Sequence, residues 1–138
     1  MVVVDTSIWI EASRRDGNAE CKLGLEGLLE EYEAAVCRPV LLEFLGGARK
    51  REREWLQDQM ACLPRLGVTD HHWDAACRHA WILRDAGETI PWNDILIASV
   101  ALDRDLRVYA RDSHFGIMAG VLGLRPYQPG YCGRFVPD

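Results

Sequence analysis

The chain contains no C-x-x-C pair, no G-x-x-x-x-G-K-[ST] or G-x-G-x-x-G loop and no G-x-S-x-G elbow. The missing glycine loops exclude a backbone cradle for nucleotide phosphates, and the missing elbow leaves Ser7, Ser13, Ser99 and Ser113 without a nucleophile setting. The five cysteines, Cys21, Cys37, Cys62, Cys77 and Cys132, are odd in number and lack ligand spacing, so they read as packing residues of a reducing compartment. The four histidines do not compose a zinc site, because His71 and His72 are adjacent and face different ways on a helix while His79 lies more than a turn away. There is no basic segment leading into an apolar one, and no run near the roughly 18 apolar residues of a membrane span. Neither a signal peptide nor a transmembrane helix is therefore expected, and a cytoplasmic location is. Positive charge is scarce too: a net charge of −5 argues against holding nucleic acid by bulk electrostatics, although an acidic metal site can recruit its own cations. No repeat, low-complexity tract or linker divides the 138 residues, which predicts one domain over 1–138, large enough to bury a core.

What is present is an alternation of short apolar runs with helical patterns. Residues 2–5 predict a buried strand, and Thr6 or Ser7 can cap a helix through IWIEASRR that stops near Gly17. A helix over 18–32 follows, then a strand over 34–38, a helix opened by Pro39, and a charged helix over about 49–62. Between Asp70 and Arg84 the residues Trp73, Ala76, Cys77, Ala80 and Trp81 form a helical stripe whose two tryptophans favour a partner helix or a dimer contact. WNDILIASVALDR reads as a buried helix, LRVYA as a strand, RDSHF as a loop, GIMAGVL as a short helix and LRPYQP as an edge strand. Strands alternating with helices predict an α/β fold, a mostly parallel sheet covered on both faces.

Of the 21 acids, most stand in polar company, but four do not. Asp5 ends VVV, Glu43 interrupts VLLEFL, Asp94 precedes ILIA, and Asp112 follows VYA by one residue. An ionised carboxylate withdrawn from water needs a partner. The topology can bring all four to one edge of the sheet, where open α/β sheets keep their ligand crevice. Two carboxylates about 4 Å apart repel by on the order of 4 kcal/mol at an effective dielectric of 20. Such a cluster holds either protons, with raised pKa values, or a cation. Hard oxygen donors favour Mg²⁺ or Mn²⁺ over Zn²⁺. An aspartate after the first strand also begins the haloacid-dehalogenase phosphatases, but those carry a second acid two residues on, where this chain has Ser7.

Taken together, DTSIW after an initial strand, the acid in PVLLEFL, the PWNDILIAS block and YARDSHF resemble the PIN-domain ribonucleases, specifically VapC-type toxins of prokaryotic toxin–antitoxin pairs. The resemblance spans essentially the whole chain, in order. It implies a PIN-like, Rossmann-like three-layer sandwich and a metal cluster formed by Asp5, Glu43, Asp94 and Asp112. Asp5, Asp94 and Asp112 would be direct ligands, and Glu43 a ligand through water or the group that orients the attacking water. Thr6 would stand beside the site, with Ser7 as a helix cap or as a partner behind the ligands. Many relatives carry another acid two residues after the position of Asp112, and here that residue is His114, a candidate to touch metal or phosphate.

The implied reaction is Mg²⁺- or Mn²⁺-assisted hydrolysis of an RNA phosphodiester, leaving 5′-phosphate and 3′-hydroxyl ends, with tRNA or ribosomal RNA as the favoured substrates. Arg111 and the run Arg49-Lys50-Arg51 with Arg53 are candidates to meet the RNA, while Arg14 and Arg15 also answer the helix dipole. The resemblance further implies a homodimer and a small VapB-like antitoxin. Trp73, Trp81 and the apolar face of the 18–32 helix are candidates for those contacts, with packing inside the monomer as the alternative. An inactive PIN-fold interaction module and a nuclease acting on DNA are the competing readings.

Overall fold

The computed structural model describes residues 1–138. Five strands, β1 (Val2–Val4), β2 (Ala34–Cys37), β3 (Arg65–Leu66), β4 (Arg107–Tyr109) and β5 (Arg125–Pro126), form one sheet in the order β3-β2-β1-β4-β5. Every pairing is parallel, so the expected "mostly parallel" sheet is wholly so. Two short apolar runs supply its centre: Val2, Val3 and Val4 in β1 and Ala34 to Cys37 in β2 are all buried, as strands covered on both faces require.

Helices α1 (Thr6–Ser13) and α2 (Ala19–Glu30) link β1 to β2, and α3 (Arg38–Gly46) and α4 (Arg53–Ala61) link β2 to β3. After β3 the chain returns past β1 through α5 (Asp70–Asp85) and α6 (Trp92–Asp103) to β4, and α7 (Ser113–Leu122) leads to β5. Strand order thus reverses beside β1. With right-handed crossovers the reversal puts α1 to α4 on one face and α5 to α7 on the other. Helix α6 is buried at every residue from Asp94 to Ala101, which explains its lack of an amphipathic pattern.

Several local readings are corrected. Neither Thr6 nor Ser7 caps α1: Asp5 does, accepting the Ser7 backbone N–H at 3.0 Å. The charged helix divides, with a single 3₁₀ turn at Lys50–Glu52 before α4. Helix α7 begins at Ser113, taking most of the expected RDSHF loop, because Asp112 caps it by accepting the His114 N–H. On α5 the core-facing side is His72, Ala75 and Leu83, whereas Trp73 and Trp81 are 57% and 66% exposed. The two tryptophans therefore lie outside the monomer core, while Ala76 and Ala80 of the same stripe pack against it. His72 is buried because its ring is used: Nδ1 accepts the Thr69 N–H at 3.0 Å, leaving Nε2–H to donate to Asp103 Oδ2 at 3.0 Å. His71 Nε2 reaches the other oxygen of the same carboxylate, so both adjacent histidines tie α5 to the end of α6. Cys21 and Cys37 pack in the core, while Cys62, Cys77 and Cys132 are exposed, and all five are free thiols. No helix is long and apolar enough to cross a membrane.

The C-terminal segment after β5 closes over α2 at two glycines. A Cβ on Gly27 would stand 2.0 Å from the Gly133 carbonyl oxygen, and one on Gly24 would meet Pro129 Cγ at 2.5 Å. The segment is also held by Arg107, which donates to the Val136 carbonyl at 2.8 Å. Gly27→Ala is expected to lower stability by about 1–3 kcal/mol, measured by urea denaturation, and to expose residues 129–138 to limited proteolysis. Gly120→Ala, inside α7 with open space around it, is expected to stabilise by about 0.5–1 kcal/mol.

Candidate metal centre

Strand order reverses between β1 and β4, and the loops leaving the carboxyl ends of these two strands carry Asp5 and Asp112. This is the crevice an open α/β sheet offers to ligands. The two loops are built alike. Each aspartate ends an extended segment, caps the following helix and accepts the N–H two residues on, from Ser7 in one case and His114 in the other. They are also joined: Asp5 N–H donates to the Tyr109 carbonyl at 2.9 Å. The Ser7 hydroxyl donates to Asp5 Oδ2 at 2.6 Å and accepts the Arg111 N–H at 3.0 Å. Ser7 is thus the partner behind Asp5 that fixes it against the neighbouring loop.

Asp94 enters from α6, where its place in the first turn sets a carboxylate at the positive end of the helix dipole. Glu43 enters from α3, and the side chain beside Asp94 in sequence holds it: Asn93 Nδ2 donates to Glu43 Oε1 and stands 3.4 Å from the Pro39 carbonyl. Asn93 is a site residue that the sequence reading missed; its adjacency to Asp94 in PWND is the signal that could have found it. His114 Nδ1 lies 2.8 Å from Asp94 Oδ2 and 2.9 Å from Asp112 Oδ1, so one ring N–H bridges two carboxylates. One donor atom from each of Asp94, Asp112 and His114 lies within 4.8 Å of the others.

The expectation that all four acids sit in apolar surroundings holds for two. Asp5 and Asp94 are buried, whereas Glu43 and Asp112 stand on the exposed rim. Burial raises the Asp5 pKa above the ordinary carboxylate value, against the two hydrogen bonds from Ser7, and the Asp112 charge raises it further. Burial likewise pushes Asp94 up to about 6, opposed by the His114 hydrogen bond and assisted by the charges of Asp5 and Asp112. Glu43 is raised by desolvation and by the same two aspartates, with the Asn93 hydrogen bond pulling the other way. No guanidinium or ammonium joins the group. Arg111, adjacent to Asp112, turns away to pair with Glu11 at 3.0 Å, so the structure does not bring it to the acids.

These residues fit a divalent cation on their own chemistry. The acids lack lysine or arginine partners, and the buried Thr6 Oγ1 lies beside Glu43 with no other hydrogen-bond partner. Asp5 Oδ1, Asp94 and Asp112 offer hard oxygen donors.

The raised Asp94 pKa fixes the sign of one pH dependence. In the metal-free protein the folded state keeps the proton up to about pH 6, while the unfolded chain releases it near the ordinary value. Stability from this group is therefore lost as pH rises between those values, and the loss stays constant above them. Asp94→Asn removes the buried charge and is expected to stabilise the metal-free protein by about 1–2 kcal/mol at pH 7.5, with little change at pH 4, read from chemical denaturation at both.

The PIN domain family matches residues 2–121. Ribonuclease VapC11 of Mycobacterium tuberculosis is 33% identical over 130 residues, covering 91% of this chain and 96% of the relative, and the VapC ribonuclease Mb1587 of Mycobacterium bovis matches to the same extent. Among solved structures, VapBC2 of Rickettsia felis, bound to a DNA fragment from its promoter, superposes with a TM-score of 0.73 at 20% identity, covering 92% of this chain and 98% of the other. A toxin–antitoxin complex from Klebsiella pneumoniae superposes with a TM-score of 0.72 at 18% identity, covering 93% and 99%. The solved structures bear on the fold, and the sequence relatives, matched over nearly their whole length, carry the kinship: the chain belongs to the PIN-domain family, among the VapC ribonucleases.

Proposed function

We propose that this protein is a VapC-like toxin: a metal-dependent endoribonuclease whose centre is formed by Asp5, Glu43, Asp94 and Asp112. The observation that carries the reading is the convergence of Asp94, Asp112 and His114 donor atoms within 4.8 Å of one another, beside the buried Asp5, in a chain whose curated relatives are named ribonucleases. Asp5, Asp94 and Asp112 hold the ion, Mg²⁺ or Mn²⁺ by the hardness of their oxygens. When bound, such an ion neutralises charge at the phosphoryl oxygens and lowers the pKa of a coordinated water.

The remaining work falls to this chain's side chains. Asn93 takes up Glu43 Oε1, which leaves Oε2 to orient the attacking water and to accept its proton. Thr6 Oγ1, buried beside Glu43, backs that carboxylate from within the crevice. His114 holds Asp94 and Asp112 together through one N–H and stands in reach of the phosphate. With RNA as the substrate, the reaction belongs to the cytoplasm.

The protein is held in check by a small VapB-like antitoxin that covers the acidic crevice; the Rickettsia felis and Klebsiella pneumoniae proteins of the same fold are themselves in toxin–antitoxin assemblies. It self-associates through the exposed apolar residues Leu42 of α3 and Trp73 of α5, 73% and 57% exposed, which line one surface cavity.

Two measurements test this reading. Purified protein free of antitoxin is expected to cleave structured RNA only with Mg²⁺ or Mn²⁺, and Asp94→Asn to reduce the rate by more than about a hundredfold. Cleavage in EDTA, or full activity in that variant, removes the mechanism, and metal-dependent cleavage of DNA alone transfers the site to another substrate. Light scattering is expected to give a dimer, and Leu42→Ser with Trp73→Ser a monomer; an unchanged mass would discard that surface.

A further inference from the structure

The sequence left open which cations meet the RNA, and the structure separates them. A groove of about 880 Å³ runs along the ends of α1 and α3 to the 3₁₀ turn before α4. Glu43 of the acidic centre lines it together with Arg14, Arg15, Arg49 and Arg51. Ile10, Phe44 and Leu56 supply apolar surface between the charges. Arg15, Arg49 and Arg51 form no ion pair within the chain, and Arg14 has only a loose one, 3.7 Å from Glu11. Asp16 and Glu52 share the groove with Glu43, so four guanidinium groups face three carboxylates, a local excess of positive charge in a chain whose net charge is −5.

The geometry explains why these positions are cationic without pairing. Helix α1 ends at Ser13 with no basic residue in its last turn, so Arg14 and Arg15 lie just beyond the helix. Arg49 and Arg51 belong to the turn that breaks the expected charged helix. Had residues 49–62 been one helix, these two arginines would stand roughly 200° apart around it, at about 100° per residue. The turn instead lets both line one groove. Arg53, their neighbour in the basic run, is turned elsewhere, its Nε donating to the Ala48 carbonyl at 3.2 Å.

We infer that this groove is the track for the RNA backbone, with Arg14, Arg15, Arg49 and Arg51 binding successive phosphates on the side of the scissile bond nearest Glu43. This rests on the ribonuclease reading of the acidic centre. Cations along a groove with apolar surface between them are the arrangement that holds a single strand without reading its sequence. The inference also gives a strongly acidic protein its nucleic-acid contacts locally, where the overall charge offers none. Arg111, committed to Glu11, is not part of the track.

The test uses full-length protein carrying Asp94→Asn, so that RNA is bound without turnover, and a single-stranded RNA oligonucleotide of mixed sequence as the probe. Reversing Arg15, Arg49 and Arg51 to Glu is expected to weaken binding at least tenfold. The slope of log affinity against log salt should flatten by about two, near 0.7 for each phosphate no longer neutralised. Arg→Lys at the same positions should retain most of the binding, and Arg78→Glu, on α5, should leave it near that of the parent. Unchanged thermal melting keeps a loss of binding from being a loss of fold. If the wild-type protein cleaves RNA and the reversed variant binds as tightly as before, the groove assignment falls and the nuclease reading stands. A wild-type protein that does not cleave RNA, with an Asp94→Asn protein that does not bind it, removes both. If the reversal spares RNA but abolishes binding of an acidic antitoxin peptide, the groove belongs to a protein partner and the assignment is overturned.

Discussion

Four carboxylates drawn to one end of a parallel sheet, with no lysine or arginine among them, set the constraint on which the rest of this structure depends. Two of them are buried, and the shift of Asp94 to about 6 measures how poorly the metal-free protein tolerates its own charge there. The surroundings answer that repulsion with hydrogen bonds rather than counter-charges. Ser7 gives Asp5 two of them, Asn93 gives one to Glu43, and a single His114 N–H serves both Asp94 and Asp112. Arg111, the arginine next to Asp112, is spent on Glu11. A site so arranged is costly while empty of cations and is suited to receiving them, the usual relation between stability and function at active centres.

The fold makes that concentration of charge geometrically available. Because strand order reverses beside β1, the loops after β1 and β4 part, and no helix crosses directly over the gap. Helices α3 and α6 then add Glu43 and Asp94. Helix capping does not exhaust Asp5 and Asp112: each cap bond engages one carboxylate oxygen and leaves the second outside the cap.

Much of this was legible in the sequence, for identifiable reasons. The runs VVV and AAVC are buried on both faces, so their hydrophobicity alone marked them as central strands, and the acids ending or following such runs were marked in turn. What was not legible depended on side chains choosing among partners. Nothing in the stretch after Asp70 says that His72 rather than Trp73 faces the core. That follows from a buried imidazole satisfied by Thr69 and Asp103, the latter on a different helix. The exposure of Glu43 and Asp112 was likewise invisible, since an acid among apolar neighbours in sequence can sit at a rim once the helix turns it outward. Asn93 was overlooked because an amide beside an aspartate has no distinctive pattern; only its contact with α3 gives it a role.

The bond from the Arg111 N–H to the Ser7 hydroxyl joins residues 104 apart in the chain. Asp5 has its hydroxyl partner as soon as Ser7 is made, but the neighbouring loop, Asp112 and His114 arrive only after the whole intervening stretch has been synthesised. The acidic centre therefore cannot assemble on a short nascent chain, and a ribosome making this protein is not exposed to a finished site until β4 and the loop after it have emerged.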